Sequence, residues 1–244
     1  MPAPISSTAL TTTLVNVPSR PSVRSASSFS SVTSANSVTS TTTTPVNEVV
    51  FRHGRVEDAA LMTEMQFSNY NHHYRKILPS PWLDNLDSSA MDAFHTKRMT
   101  PPVDEREMAY VVAERLNAET GLPELVGMSQ SMVPWWDRAY NHRWNDGWSQ
   151  DSFDCEIDTL YVKFGIQGGG IGRKLVLGAL QEAYDRFDMR KGVIIWTLVA
   201  NTQGRDFYKR IGCEEAGFRT LDLGDYPAEC VGYAFRSVGE AIGK

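Results

Sequence analysis

The sequence predicts an α/β domain, a mixed β-sheet flanked by helices. Three observations carry that prediction: a nearly continuous apolar run at residues 193–199, an amphipathic stripe beginning just after Gly172, and a glycine-rich turn that joins the strand-like segment 153–162 to that stripe.

Residues 48–244 carry the pattern and the first 47 do not. Twenty-two of those 47 are Ser or Thr, their only charged side chains are Arg20 and Arg24, and no acidic residue precedes Glu48. Such a segment buries too little apolar surface to offset the entropy of ordering it, so residues 1–47 read as a disordered Ser/Thr-rich tail. A mitochondrial transit peptide has a similar composition, but two arginines and no amphipathic stripe are thin support for one, and a cytoplasmic location is the first expectation. No segment approaches the roughly 18 consecutive apolar residues of a membrane span.

Setting aside the tail's two positive charges takes the formal net charge from −5 to −7 for the body. That balance argues against nucleic acid, which calls for a clustered basic face, and suits a cationic amine. Cys155, Cys213 and Cys230 lie far apart, with neither the paired spacing of a zinc site nor an even count for disulfides, so they read as reduced and buried. His72, His73, His95 and His142 likewise lack metal-ligand spacing and read as surface or polar-network residues.

Each element follows from local pattern. Residues 49–51 form a short strand. Residues 56–67 have helical spacing, with Ala59, Ala60, Leu61, Met62 and Met65 on one broad face, until Pro79 and Pro81 break the chain. Asp87 suits a helix cap, and a helix follows through Ala90, Met91 and Phe94 to Pro101. Strands 109–116 and 125–133, joined by a loop holding Asn117, Gly121 and Pro123, read as an antiparallel hairpin.

Between 134 and 151 the period is lost. Trp135, Trp136, Tyr140, Trp144 and Trp148 mix there with Asp137, Arg138, His142 and Arg143, as in a long loop or short-helix insertion whose aromatics cover a core or line a pocket. After the strand 153–162, Leu175, Val176, Ala179, Leu180, Ala183, Tyr184 and Phe187 mark the buried stripe of a helix. The apolar strand 193–199 is expected to lie centrally, covered on both faces. A short helix 201–211, closed by Gly212, and a final strand 230–235 complete the body.

The chemistry lies in the glycine run Gln167-Gly168-Gly169-Gly170-Ile171-Gly172. Bare main chain at a helix N-terminus aims its first amides at an anion, which makes a diphosphate cradle. Spacing separates the kinds of cradle. A Walker A loop that starts at Gly168 needs its second glycine, the one that Lys follows, where Arg173 stands, and a dinucleotide fingerprint needs a third glycine where Arg173 or Leu175 stands. Neither fits.

What fits is the pattern Gln167, Gly170, Gly172, followed about 30 residues on by Asn201, Gly204, Phe207, Tyr208 and Gly212. On these two signatures the chain resembles the GNAT superfamily of N-acetyltransferases. It departs in Gly204, where Ala is usual, and in Cys213, where Phe is usual. The resemblance covers residues 153–235 well and 49–133 only by the order of elements.

That resemblance implies a mixed, mostly antiparallel central sheet flanked by helices, with acetyl-CoA as co-substrate and no metal. The strand amides around Leu160, Tyr161 and Val162 would hold the pantetheine arm. Gly168, Gly169, Gly170, Ile171, Gly172, Arg173 and Lys174 would bind the diphosphate, with Gln167 in the loop signature, and Asn201 would contact the cofactor arm. Tyr208 would protonate the leaving thiolate, and Glu156, where many members carry an acid, would take the amine's proton. Asp154 and Asp158 are expected on the same strand face as Glu156, so the three carboxylates are alternatives for the base.

The expected reaction is acetyl transfer to a primary amine, of a small molecule in preference to a protein N-terminus or lysine, by a monomer or homodimer. A non-catalytic acyl-CoA-binding module is the alternative from another class.

Overall fold

The structure, a computed structural model, describes residues 48–100, 108–134, 136, 141–223 and 226–244. The tail assigned to 1–47, the helix stop at Pro101, and Trp135, Asp137, Arg138 and Tyr140 of the aromatic insertion lie outside the described residues.

Among the described residues eight strands form one sheet. In chain order they are β1 (Val50–His53), β2 (Met108–Leu116), β3 (Pro123–Met132), β4 (Arg143–Trp144), β5 (Phe153–Val162), β6 (Gly192–Leu198), β7 (Glu214–Asp222) and β8 (Pro227–Phe235). Their spatial order is β1-β2-β3-β5-β6-β8-β7-β4. Every neighbouring pair is antiparallel except β5 and β6, which run parallel.

The hairpin expected from Asn117 and Gly121 is present. The Asn117 side chain accepts from the amides of Glu119 and Thr120, and Gly121 adopts φ +67°, so the turn between β2 and β3 is built from those two residues. β6 is central, between β5 and β8, and all but one of its residues are buried. β4 is a two-residue strand inside the aromatic insertion, paired on the outer edge of β7. β7 itself is an element that sequence pattern passes over.

Helices cover both faces. On one side α4 (Ile171–Phe187) buries Leu175, Val176, Ala179, Leu180 and Ala183 completely against Val126, Ile157, Val193 and Ile195. Burying a Leu or Val side chain contributes about 1.5–3 kcal/mol, so this stripe is a principal source of cohesion between helix and sheet.

The other face is covered by α1 (Ala59–Asn69), a π-helical turn (Tyr70–Tyr74), the short α2 (Ser80–Asp84) and α3 (Ser88–Met99). Met62 and Met65 of α1 pack there on Tyr110, Val112, Met128 and Met132. Asp87 caps α3 as expected, accepting from the amides of Ser89 and Ala90. Among the described residues the remaining α-helices are α5 (Thr202–Arg210) and α6 (Val238–Ile242).

One irregularity sets the site. Parallel pairing of β5 with β6 covers only Phe153, Cys155 and Glu156, opposite Gly192, Val193 and Ile194. Beyond Glu156, β5 stays with β3 while β6 stays with β8. The two central strands therefore part, and a slot opens between their C-terminal halves.

Candidate active site

The β5 side of the slot is an unpaired strand edge. The Lys163 amide donates to Val126 O at 2.9 Å, toward β3. Because amide direction alternates along a strand, the amides of Leu160 and Val162 point the opposite way, to the side that β6 has left. Both lie where the sequence places the pantetheine arm. The Tyr161 side chain belongs elsewhere, with its ring against Tyr70, centroids 5.9 Å apart at 80°.

The strand leads into the glycine loop. Gly168 (φ +108°) and Gly170 (φ +77°) hold left-handed backbone, which explains glycine there. A Cβ on Gly168, Gly169 or Gly170 would meet nothing within 4 Å, so the loop's near surface is open. Gly170 is the N-cap of α4 and no side chain caps that end. The first intrahelical bond runs from the Lys174 amide to Gly170 O at 3.0 Å, so the amides of Ile171, Gly172 and Arg173 precede it as the helix's orphan donors. Three such amides at a positive helix end fit a diphosphate.

Gly172 has a different role from its neighbours. A Cβ there would come 3.2 Å from the Phe207 ring, so its absence lets α4 and α5 pack closely. Gln167 lies in the same loop. Its Nε2 donates to Val162 O at 3.3 Å and sits 3.1 Å from His73 Nε2, tying the loop to the end of β5 and to the π-helical turn. Arg173 is exposed beside the loop, whereas Lys174 leans toward β1, its Nζ 5.6 Å from the Phe51 ring centroid.

Asn201 caps α5. Its Oδ1 accepts from the Gly204 amide at 3.0 Å and its Nδ2 donates to Thr197 Oγ1 at 3.1 Å. A Cβ on residue 204 would lie 2.6 Å from that same side-chain amide, which accounts for glycine where the family has alanine. Tyr208 is 8% exposed, stacked on Tyr233 and edge-on to Phe207. Burial, then the neighbouring Tyr74 hydroxyl, raises its phenol well above the usual tyrosine value. A phenol held protonated is a proton donor.

On the α1 and α3 side of the slot lies a cavity of about 120 Å³. Glu156 lines it, 3% exposed, at the position where β5 and β6 part. Asp158 lines it too. Register passes directly from Ile157 opposite Ser131 to Thr159 opposite Gln130, so Asp158 sits at a β-bulge. Asp154 does not share this face. Its Oδ2 accepts from the amides of Arg190 (2.8 Å) and Lys191 (3.0 Å), so it fastens the turn before β6. The expected trio of carboxylates is thus a pair, and the register shift against β6 between Phe153 and Cys155, at Asp154 itself, is what strict period-two alternation misses.

The cavity wall holds residues that sequence spacing did not single out. Tyr70 and Tyr74 come from the π-helical turn, with ring centroids 5.6 Å apart at 89°. Phe94, Tyr161 and Trp196 complete an aromatic lining. Beneath it runs a polar chain. Gln66 Nε2 donates to the Tyr70 hydroxyl at 2.7 Å, and Gln66 Oε1 lies 3.0 Å from His95 Nε2. An amide oxygen only accepts, so Nε2 carries the proton of His95 and Nδ1 faces the Tyr110 hydroxyl at 3.5 Å. Burial, then the Arg98 charge, pushes His95 down to about 4, so it is neutral at physiological pH. Arg98, 5% exposed, lies 3.6 Å from Asp158 and 3.3 Å from Gln130 Oε1.

Trp136, Trp144 and Trp148 of the insertion pack on the sheet. Trp148 stacks on Phe153 (5.3 Å, 5°), and Trp144 lies between the His142 ring and Phe153. Of the insertion's aromatics, none among the described residues lines the cavity.

A parted pair of parallel strands, with an uncapped helix N-terminus at one end of the slot and a carboxylate-bearing cavity at its side, defines an acyl-transferase type of site. A sequence model of the acetyltransferase (GNAT) family matches residues 71–213, and the chain belongs to that family, whose acyl donor is acetyl-CoA.

Solved structures with the same fold include the PaiA N-acetyltransferase of Thermoplasma acidophilum in complex with coenzyme A. It is 15% identical with a TM-score of 0.51, over 78% of this chain and 99% of that one. A spermidine N-acetyltransferase SpeG variant from Vibrio cholerae is 13% identical with a TM-score of 0.50, over 80% and 96%. No curated protein sequence matches the chain. Among the described residues no helix is long and apolar enough to cross a membrane.

Proposed function

We propose that residues 48–244 form an N-acetyltransferase that moves the acetyl group of acetyl-CoA to the primary amine of a small molecule by direct attack. One observation carries the reading: β5 and β6 part at Glu156, which leaves the Leu160 and Val162 amides free on the edge that runs to the uncapped start of α4.

In this reading the amides of Leu160 and Val162 hold the pantetheine arm and one of them polarises the thioester carbonyl. Those of Ile171, Gly172 and Arg173 take the diphosphate, with Gly168, Gly169 and Gly170 giving it room and the exposed Arg173 adding charge. Gln167 holds the loop in place through Val162 O. Lys174 contributes long-range positive charge, and Asn201 fixes the start of α5 beside the arm.

An alkylamine has a reference pKa of about 10.4 and arrives as an ammonium ion. Glu156 takes one proton, the nitrogen attacks the carbonyl carbon, the C–S bond breaks as Tyr208 gives its proton to the departing sulfur, and the second proton lost by the nitrogen restores the Tyr208 phenol, so that the one proton released leaves by way of Glu156. Asp158, with Arg98 3.6 Å away, is part of the cavity wall and not the proton acceptor. The small volume of the cavity, about 120 Å³, favours the end of a small amine over a folded protein segment.

Thiol release from acetyl-CoA, measured across small amines and across peptides with free N-termini or lysines, tests the reading. Turnover with small amines is expected. Turnover confined to peptides would replace the acceptor, and acetyl-CoA binding without any turnover would leave a binding module.

A further inference from the structure

The cavity at Glu156 has a second chamber beside it. An open groove of about 550 Å³ lies against Leu78 and Leu198, the same two side chains that border the inner cavity. Both are buried, so they form the neck between the chambers. Beyond the neck the groove is apolar, walled by Ile77, Pro79, Val199, Tyr226 and Ala228.

The charges divide unequally between the chambers. Among the described residues the one carboxylate on the groove is Glu229, whose Oε2 lies 2.6 Å from Arg143 and whose Oε1 accepts from Thr220 at 2.7 Å. In the inner chamber Asp158 has Arg98 3.6 Å away, and Arg219 joins Glu156 on the wall. A molecule with several positive charges meets carboxylates that already have arginine partners, Asp158 with Arg98 and Glu229 with Arg143, along this path. A molecule with one ammonium end finds Glu156 and an aromatic wall, and an apolar remainder finds the groove.

We infer that the acceptor is a monoamine carrying an apolar substituent, with its amine in the inner cavity at Glu156 and its substituent laid through the Leu78–Leu198 neck into the outer groove. This inference rests on the amine-acetylation reading above and narrows its substrate class. It excludes polyamines as preferred acceptors, since their second and third ammonium groups would lie on apolar surface.

Thiol release by the full chain, with ethylamine, butylamine, hexylamine, phenethylamine and spermidine as acceptors, tests it. The expected result is a rise in kcat/KM of up to about fourfold per added methylene along the alkyl series, the factor that burial of a methylene group gives. Phenethylamine should fall with the longer amines and spermidine should be the poorest. Ala200→Asp, on an exposed rim position of the groove, should flatten the chain-length dependence while leaving ethylamine turnover within about twofold, as expected of a surface change.

A flat alkyl series, or spermidine preferred to hexylamine, would overturn the inference and leave amine acetylation standing. No release with any amine would overturn both.

Discussion

Glu156 of β5 stands opposite Ile194 of β6 in the last backbone pair before the two strands separate. The carboxylate is therefore fixed at the vertex of the slot. It is held by a paired backbone on one side and faces an open cavity on the other. Neither strand alone would place it there, because pairing past this point would fill the space that the substrates need.

Replacing this carboxylate tests its role as base. Glu156→Gln keeps the shape and removes the proton acceptor, so kcat should fall on the order of 100-fold at neutral pH. The loss should shrink as pH rises toward the amine's own pKa near 10, where the nucleophile arrives already deprotonated. A pH–rate profile parallel to that of the unaltered protein would remove Glu156 from the proton path.

Tyr208→Phe deletes one buried hydroxyl and keeps the ring on Tyr233. Turnover should drop on the order of 10- to 100-fold, with the acetyl-CoA KM changed little, since the phenol acts on the leaving group and not on ground-state binding. Steady-state kinetics in varied acetyl-CoA read both parameters. Unchanged kcat would return Tyr208 to a packing role.

The two glycines of the loop signature should separate in their effects. Gly170→Ala places an L-residue at φ +77°, at a cost of about 1–2 kcal/mol that the loop relieves by shifting its amides, so acetyl-CoA affinity should weaken by about tenfold. Gly172→Val instead drives a side chain into the Phe207 ring and should lower the melting temperature by several degrees, about 1–3 kcal/mol of overpacking. Calorimetric titration and thermal melting of both variants distinguish the cases. Equal effects on binding and stability would merge them.

His95 makes stability pH-dependent. Its folded-state value, about 4, lies below the ordinary 6.5, so the unfolded chain takes up the proton first as pH falls. The neutral buried form is fully favoured above about 6.5 and its contribution is lost toward pH 4, by up to about 3 kcal/mol. His95→Gln should therefore show a shallower fall in urea-unfolding free energy between pH 7 and pH 4.5 than the unaltered protein. Matching slopes would show that His95 takes up its proton equally in the folded and the unfolded chain.

Much of this architecture was legible in the chain. Asp87 as a helix cap, the stripe from Leu175 to Ala183, the apolar run that became β6, and the loop from Gln167 to Gly172 are local patterns with local causes, and they stand where the pattern placed them. β7 was not legible, because it is paired on both sides yet buries few apolar side chains, Ala216 and Leu221 among them, between Glu214, Glu215, Arg219 and Asp222. The cavity wall was illegible for a different reason. Gln66, Tyr70, His95, Trp196 and Arg219 meet only through the sheet order, and no spacing announces the π-helical turn that carries Tyr70 and Tyr74 inward.

Amide hydrogen exchange with and without acetyl-CoA tests the central claim most directly. The slot between β5 and β6 predicts strong protection on binding at Leu160, Val162, Ile171, Gly172 and Arg173, and little change along β7. Binding that leaves those five amides exchanging at their free rates would contradict it.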